Sequence, residues 1–395
     1  MERNAKNKGF RIRISKKTKI VIYALLTVTV ALLIVFTAAQ KLGNITINTM
    51  TDSARNYVQS MGSGEGFPYS LNGKNVRDIT INDSNLLLLF DDRTVLLTPT
   101  AKEIMPQEHK YSTPVMKSNG PKTVVYDLDS GRFRIQNGSE IVKEYELKNK
   151  IMAAAVGKKG NYAVGTYGDD VQSVLTVYSS THKKVFEWNF KSERICDISL
   201  SENGKFAAVA VIYSNNGKIS SRLYVFNFGS DKPVSKFDYE SSVLVKVDYV
   251  NGSDIAVVGD NVRSYIKNGK EKTDTKDFNS DTLHNYCISD DGRSALVLSK
   301  YGSSSLSSLT VYSDRNREQF SLNFDSEIEW VDCGEKYTAV LFGNEVKTYN
   351  KKGRQIGSIS FSGEPVRVAV DGSKVYILTS VKLICCDIKG SQKAG

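Results

Sequence analysis

Leu175-Thr176-Val177-Tyr178, Leu223-Tyr224-Val225-Phe226, Leu309-Thr310-Val311-Tyr312 and Val346-Lys347-Thr348-Tyr349 are four copies of one phrase, an apolar or β-branched run closed by an aromatic residue. Weaker copies end at Thr98, Gln136, Tyr265 and Cys386. In chain order the closing positions are 98, 136, 178, 226, 265, 312, 349 and 386, with intervals of 38, 42, 48, 39, 47, 37 and 37 residues. A repeat of this length suits four short strands, as in the ~40–45-residue blade of a β-propeller.

Other strands recur in phase with the phrase. Ile198–Gly204, Ile288–Gly292 and Val370–Gly372 each run from an apolar strand into a turn in which glycine supplies the positive φ. Phe206–Val211 and Ala295–Leu298 are nearly continuous apolar runs, as expected of strands packed between blades on both faces. Phe186-Glu187-Trp188-Asn189-Phe190, Phe320-Ser321-Leu322-Asn323-Phe324 and Ile359-Ser360-Phe361 alternate strictly, the pattern of a half-solvated outer strand.

The last repeat, from Pro365, supplies three strands and lacks a fourth. Phe67-Pro68-Tyr69-Ser70-Leu71 resembles an outer strand, and Pro68 is tolerated only on an edge. The ring is therefore expected to close by pairing 67–71 onto the C-terminal blade, which protects two sheet edges. The count is eight blades, with seven as the alternative if the first repeat is an edge decoration. The domain is expected to span 67–390, followed by a disordered tail at 391–395.

Before the repeats, residues 20–39 carry no charge. At ~1.5 Å per residue they span ~30 Å, the thickness of a bilayer's hydrocarbon core. Residues 1–19 hold eight basic side chains against Glu2, a net of +7 within a chain total of +10. This asymmetry predicts an uncleaved signal anchor with a cytoplasmic tail at 1–19, a transmembrane helix at 20–39 and everything later outside the membrane. Residues 40–66, ending Gly62-Ser63-Gly64-Glu65-Gly66, read as a stalk. The lipid bilayer is thus one expected partner. The rest of the chain carries only +3, which argues against nucleic acid as another.

The stretch Gly66-Phe67-Pro68, then Tyr111–Met116, then Val124–Asn137, after a basic tail and one anchor helix, resembles a family of single-pass membrane proteins from Gram-positive anaerobes, domain of unknown function 5711. The resemblance implies a tethered propeller and brings no assigned activity, so no functional residue is carried over. More loosely, the turns resemble WD-repeat and quinoprotein propellers, without the Trp-Asp dipeptide.

Chemistry is sparse. His109, His182 and His284 stand apart from other metal-type ligands. Asp127 and Asp129 in Asp127-Leu128-Asp129-Ser130-Gly131 resemble the opening of a Ca²⁺ loop, but the run continues Arg-Phe-Arg instead of supplying further oxygens. A tight turn is the better reading. The five cysteines, Cys196, Cys287, Cys333, Cys385 and Cys386, show no framework spacing and read as structural. No phosphate loop, nucleophile elbow or zinc motif occurs, so neither a cofactor nor catalysis is expected, and a central-channel enzyme or an envelope sensor remain the alternatives.

Tyr167, Tyr213 and Tyr301 precede their repeat's closing residue by 11, 13 and 11 positions, and each is followed by a polar hairpin loop. They are expected at equivalent positions on one rim, bordering a surface for an envelope protein, peptide or glycan. The bland reading is three rim rings with wet hydroxyls.

Overall fold

The computed structural model of the protein describes residues 26–27, 63–278, 281–300 and 306–394. The expected cytoplasmic tail, most of the expected membrane span and stalk residues 40–62 lie outside them. Among the described residues no helix is long and apolar enough to cross a membrane.

The repeats form eight antiparallel sheets at 76–108, 114–146, 151–190, 194–239, 244–277, 282–324, 330–361 and 365–387, here blades 1 to 8. Each blade runs from its first strand at the ring's axis to its last at the perimeter. The fold is an all-β, eight-bladed propeller. The repeated phrase is the third strand of every blade, and the apolar runs are the second strands: Asn85–Phe90 and Phe206–Val211 are buried almost throughout. A second strand has another blade against each face, so both sets of its alternating side chains must be apolar.

The core is correspondingly divided among the interfaces between blades. Val209, Val211, Tyr224 and Phe226 of blade 4 meet Ala153, Leu175 and Phe190 of blade 3. Leu86, Leu88 and Leu97 of blade 1 meet Tyr376, Leu378 and Leu383 of blade 8. That second contact closes the ring. As the alternation around Tyr69 predicts, Tyr69–Ser70 pairs antiparallel with the third strand of blade 8, Tyr69 opposite Leu383. Leu71 follows into the core at 3 % exposure.

Two boundaries differ from the sequence reading. The stalk does not run free to residue 66: Gly64 N donates to Thr100 Oγ1 (3.1 Å) and Gly66 N to Thr100 O (3.1 Å), on the turn between the third and outer strands of blade 1. A Cβ on Gly64 would lie 2.2 Å from Lys102 N, so only glycine lets the two backbones approach this closely. At the other end, the tail expected to be disordered forms a strand, Gly390–Ala394, parallel to the outer strand of blade 7. Backbone pairing to an open edge orders a segment whose side chains carry little strand preference.

The cysteine reading also needs amendment. Cys287 and Cys333 are joined in a disulfide between the inner strands of blades 6 and 7, while Cys196, Cys385 and Cys386 are free.

Candidate functional site

The hairpins between second and third strands emerge on the same face as the connections between blades, and the rim tyrosines belong there. Tyr167 ends the second strand of blade 3, opposite Ser173. Ser173 corresponds to Ser221 in blade 4, because Leu175 and Leu223 open the same phrase; yet Ser221 faces Ile212, and Tyr213 faces Ser220. Tyr213 is therefore one residue beyond the position equivalent to Tyr167. Tyr301 lies outside the described residues. The expectation of equivalent positions is corrected by the longer hairpin of blade 4, whose pairing continues to Asn215 opposite Lys218.

A one-residue offset in a strand turns a side chain to the other face of the sheet. Gly165, two residues before Tyr167, faces blade 4, since a Cβ there would meet Ile195 at 3.0 Å. Val209 and Val211, on the same side of their strand as Tyr213, face blade 3. The two tyrosines consequently border one cleft, between blades 3 and 4, from opposite walls. Glu193, on the link between those blades, and Arg194, which opens the first strand of blade 4, lie in the same cleft. The Arg194 guanidinium is 5.5 Å from the Tyr167 ring, and Arg222 is 4.9 Å from the Tyr213 ring. Arg222 pairs with Glu193 (2.9 Å) and Asp238 (2.5 Å), and Tyr213 donates to Asp238 (3.2 Å). Tyr224 donates to Glu193 at 2.6 Å, and burial together with that bond pushes its phenol up to about 12. The cleft thus offers two aromatic faces, cations over them, and carboxylates able to meet a ligand's donors.

A second polar constellation surrounds the ring's axis. Lys117 of blade 2 pairs with Asp197 of blade 4, passing the small side chains Ala153–Ala155 of the intervening blade. Asp197 Oδ2 also accepts from Val247 N (2.9 Å) of blade 5, where Lys246 pairs with Asp248 at 3.2 Å. Across the ring, Arg367 of blade 8 pairs with Asp78 of blade 1 and lies 4.2 Å from the Trp330 ring of blade 7. Asp332 Oδ2 accepts from Val370 N (2.7 Å), and burial pushes its carboxyl up to about 6. The inner strands expose unpaired N–H groups that need acceptors. Asp197, Ser199 and Asp332 supply them from blade to blade, Ser199 Oγ accepting Tyr249 N at 2.9 Å.

Sequence reasoning missed this set. Asp78, Asp197, Lys246 and Arg367 each directly follow a register shift in an inner strand. The available signal was a lone charge inside an apolar run, as in Ile195–Ile198 and Val366–Val368. Bulges re-aim such residues in a way that no local motif records.

The remaining candidates lie apart. Asp127 is 1 % exposed, with Oδ1 accepting Ser112 N and Thr113 N and Oδ2 accepting Arg132 Nη2 at 2.8 Å. Burial pushes this carboxyl up, but the donors of Thr113, Arg132 and Ser112 outweigh it and hold the group below its usual value. Asp129 occupies the turn at φ 58°, and its N–H donates to Ile151 O at 3.0 Å. This is a turn's geometry, and among the described residues no cluster of carboxylates, His and Cys is arranged to hold a metal. His109 stacks on Tyr111 (4.8 Å), His182 meets the Tyr162 hydroxyl (3.2 Å) and His284 meets Ser299.

The sequence model of one family, described as of unknown function, matches residues 71–393. No curated protein matches the chain. Among solved structures, the C-terminal WD40 domain of Sif2 is similar at TM-score 0.59 and 13% identity, covering 80% of this chain and 97% of that one. A eukaryotic initiation factor gives TM-score 0.56 at 10% identity, with coverage of 83% and 89%. Chaetomium thermophilum Sqt1, bound to the N-terminus of ribosomal protein L10, gives TM-score 0.56 at 12% identity, with coverage of 81% and 98%. At these identities the likeness is one of fold.

Proposed function

Because the chain belongs to that family of unknown function, DUF5711, we propose from the geometry that it is a membrane-tethered, extracytoplasmic and non-enzymatic propeller that binds a protein or peptide in the cleft between blades 3 and 4. The observation that carries this reading is the convergence of Tyr167 and Tyr213, from adjacent blades, on a cleft also furnished by Arg194, Arg222, Glu193 and Asp238. Rigid aromatic faces with adjustable polar groups between them are what polypeptide recognition uses.

Three further features agree with it. The seat of Gly64 and Gly66 is on the turn joining third and outer strands, on the face opposite the cleft. The Cys287–Cys333 disulfide suits an oxidising compartment, as does an uncharged 20–39 segment behind a basic tail. The structurally similar Sqt1 holds the N-terminus of ribosomal protein L10 on the same fold. The charges at the axis favour no enzyme, because they are engaged with each other and with neighbouring inner strands.

The test is capture. Full-length protein in detergent is crosslinked to solubilised envelope proteins and compared with a Tyr167→Ala/Tyr213→Ala variant of the same melting temperature. Specific partners retained equally by both proteins would remove the cleft from consideration. Protease added to intact spheroplasts should digest a C-terminal tag and spare an N-terminal one; the reverse pattern overturns the topology.

A further inference from the structure

Among the described residues only blade 7 carries a fifth strand: Gly390–Ala394 lies parallel to Gln355–Phe361, in register from Gly357 opposite Gly390 to Phe361 opposite Ala394. An outer edge that stays open is normally blunted by charge or proline. The outer strands of blades 1 to 6 follow this rule, from Glu103, Pro106 and Glu108 in blade 1 to Lys184 and Glu187 in blade 3 and Glu318 in blade 6. Gln355–Phe361 has neither a charge nor a proline. Its composition is that of an edge meant to be paired.

The strand that pairs it is held lightly. Gly390, Ser391 and Lys393 are exposed, Gln392 donates to Asp387 O at 2.7 Å, and Ala394 touches the core between blades 7 and 8. Everything else is backbone. The chain just before it is anchored independently: Ile388 is 1 % exposed, its N–H donates to Ser373 O (2.9 Å) and its carbonyl accepts from Thr348 Oγ1 (2.6 Å). Residues 390–394 can therefore leave without disturbing the ring. Gly357 shapes the floor beneath them, since a Cβ there would lie 2.9 Å from Gly390 O and 2.6 Å from Ile388 O.

We infer that the outer edge of blade 7 is a strand-acceptor site, occupied in cis by residues 390–394, that takes an extended segment of a partner polypeptide with a small residue over Gly357 and a small apolar one beside Phe361. Strand addition draws affinity from main-chain hydrogen bonds and selectivity from alternate side chains, which matches a resident strand with so few side-chain contacts. A second copy of this chain is a poor donor. Lys389 alone separates Ile388, fixed in its own core, from Gly390. At ~3.3–3.6 Å per residue that link gives the tail about 7 Å of reach, so exchange between copies would need their blade 7 edges packed side by side.

The experiment uses the chain truncated after Lys389 and carrying Ser360→Cys, because Ser360 faces Lys393 in the register. The probe is a synthetic peptide of the tail sequence with cysteine at the Lys393 position activated as its thiopyridyl disulfide, so that the thiolate introduced by Ser360→Cys displaces thiopyridone; its control carries the same activated cysteine and proline at the Ser391 and Gln392 positions. Mixed disulfide should form at least ~10-fold faster with the tail peptide, since proline removes the donors that a strand needs. Equal rates overturn the proposal, and preferential crosslinking between a K393C chain and an S360C chain overturns the partner in favour of a second copy. Hydrogen exchange on the intact wild-type protein supplies an independent reading. Amides of 390–394 should exchange at least ~100-fold faster than those of the third strand, Glu345–Asn350, which is paired on both sides within the blade. Equal protection means a permanent fifth strand and overturns the site.

Discussion

Cys287 and Cys333 are 46 residues apart in sequence, yet their Cα atoms lie 6.1 Å apart and a disulfide joins them across the interface of blades 6 and 7. Both belong to the apolar cluster that holds those blades together. Burial pushes the Cys196 thiol up to about 12 and raises Cys385 and Cys386 as well. Protein denatured without reductant should accept three alkyl groups, and five after reduction, by intact mass. Five without reductant would mean that the bond is absent in the native protein. Closing a 46-residue loop restricts the unfolded chain, so a Cys287→Ala/Cys333→Ala variant should lose about 2–4 kcal/mol.

Ring closure gives the second prediction. Leu71 is 3 % exposed and packs with Leu86, Leu378 and Leu383. Leu71→Ala should cost ~2–5 kcal/mol, the range for a buried leucine. Deleting 67–71 should abolish cooperative melting, while deleting 40–60 should leave it unchanged. A normal melting curve after the first deletion would contradict closure by the N-terminal strand.

These two contacts mark where legibility stopped. Closure was readable, because Phe67–Leu71 repeats the alternation of Phe320–Phe324 and the last blade lacks a strand. The disulfide was not, because pairing depends on the register of two inner strands in different blades. Gly390–Ala394 was invisible for another reason: its sequence has no strand preference, and an uncharged edge, whose Gly357 faces Gly390, supplies the order. The tyrosine cleft was half readable. Spacings of 11 and 13 residues located Tyr167 and Tyr213, but only pairing with Ser173 and Ser220 revealed that they face each other's blades.

At the axis, Asp197 is 6 % exposed and Lys117 25 %. Lys117→Met leaves Asp197 short of a cation, although Lys246 remains near. The loss should be ~2–3 kcal/mol, below the ~3–5 kcal/mol of fully buried pairs because Lys117 is partly wet. Adding Asp197→Leu should recover less than the full loss, because Val247 N then has no acceptor. Full recovery in denaturant titrations would show that this backbone bond contributes nothing.

Asp332 predicts a pH dependence. Burial raises its carboxyl from 3.8 to about 6. Between those values the unfolded chain ionises while the folded one stays protonated, so this group's contribution to stability falls as pH rises from about 4 to about 6 and is level above that. Asp332→Asn keeps an oxygen for Val370 N and removes the titration. Its stability relative to wild type should rise across that window, by at most about 3 kcal/mol at ~1.36 kcal/mol per pH unit. A difference independent of pH between 4 and 8 would refute the assignment.

The cleft makes the sharpest demand, because register predicts which neighbouring substitution does nothing. Tyr213 faces blade 3, whereas Ile212, beside it, occupies the position equivalent to Tyr167 and faces the other way. Tyr167→Ala/Tyr213→Ala should weaken partner binding by ~2 kcal/mol or more, roughly 30-fold in Kd. Folding should change little, by ~0.5–1 kcal/mol, since each ring is half-buried and rests on an arginine rather than in the core. Arg222→Ala removes the cation over Tyr213 and the partner of Glu193 and Asp238, and should weaken binding with a larger cost in melting temperature. Ile212→Ala should leave binding intact. If Ile212→Ala and the tyrosine pair weaken binding alike, loss of the hairpin's shape explains both and the cleft is not the recognition surface. If the tyrosine pair collapses the melting transition, the rings belong to the core.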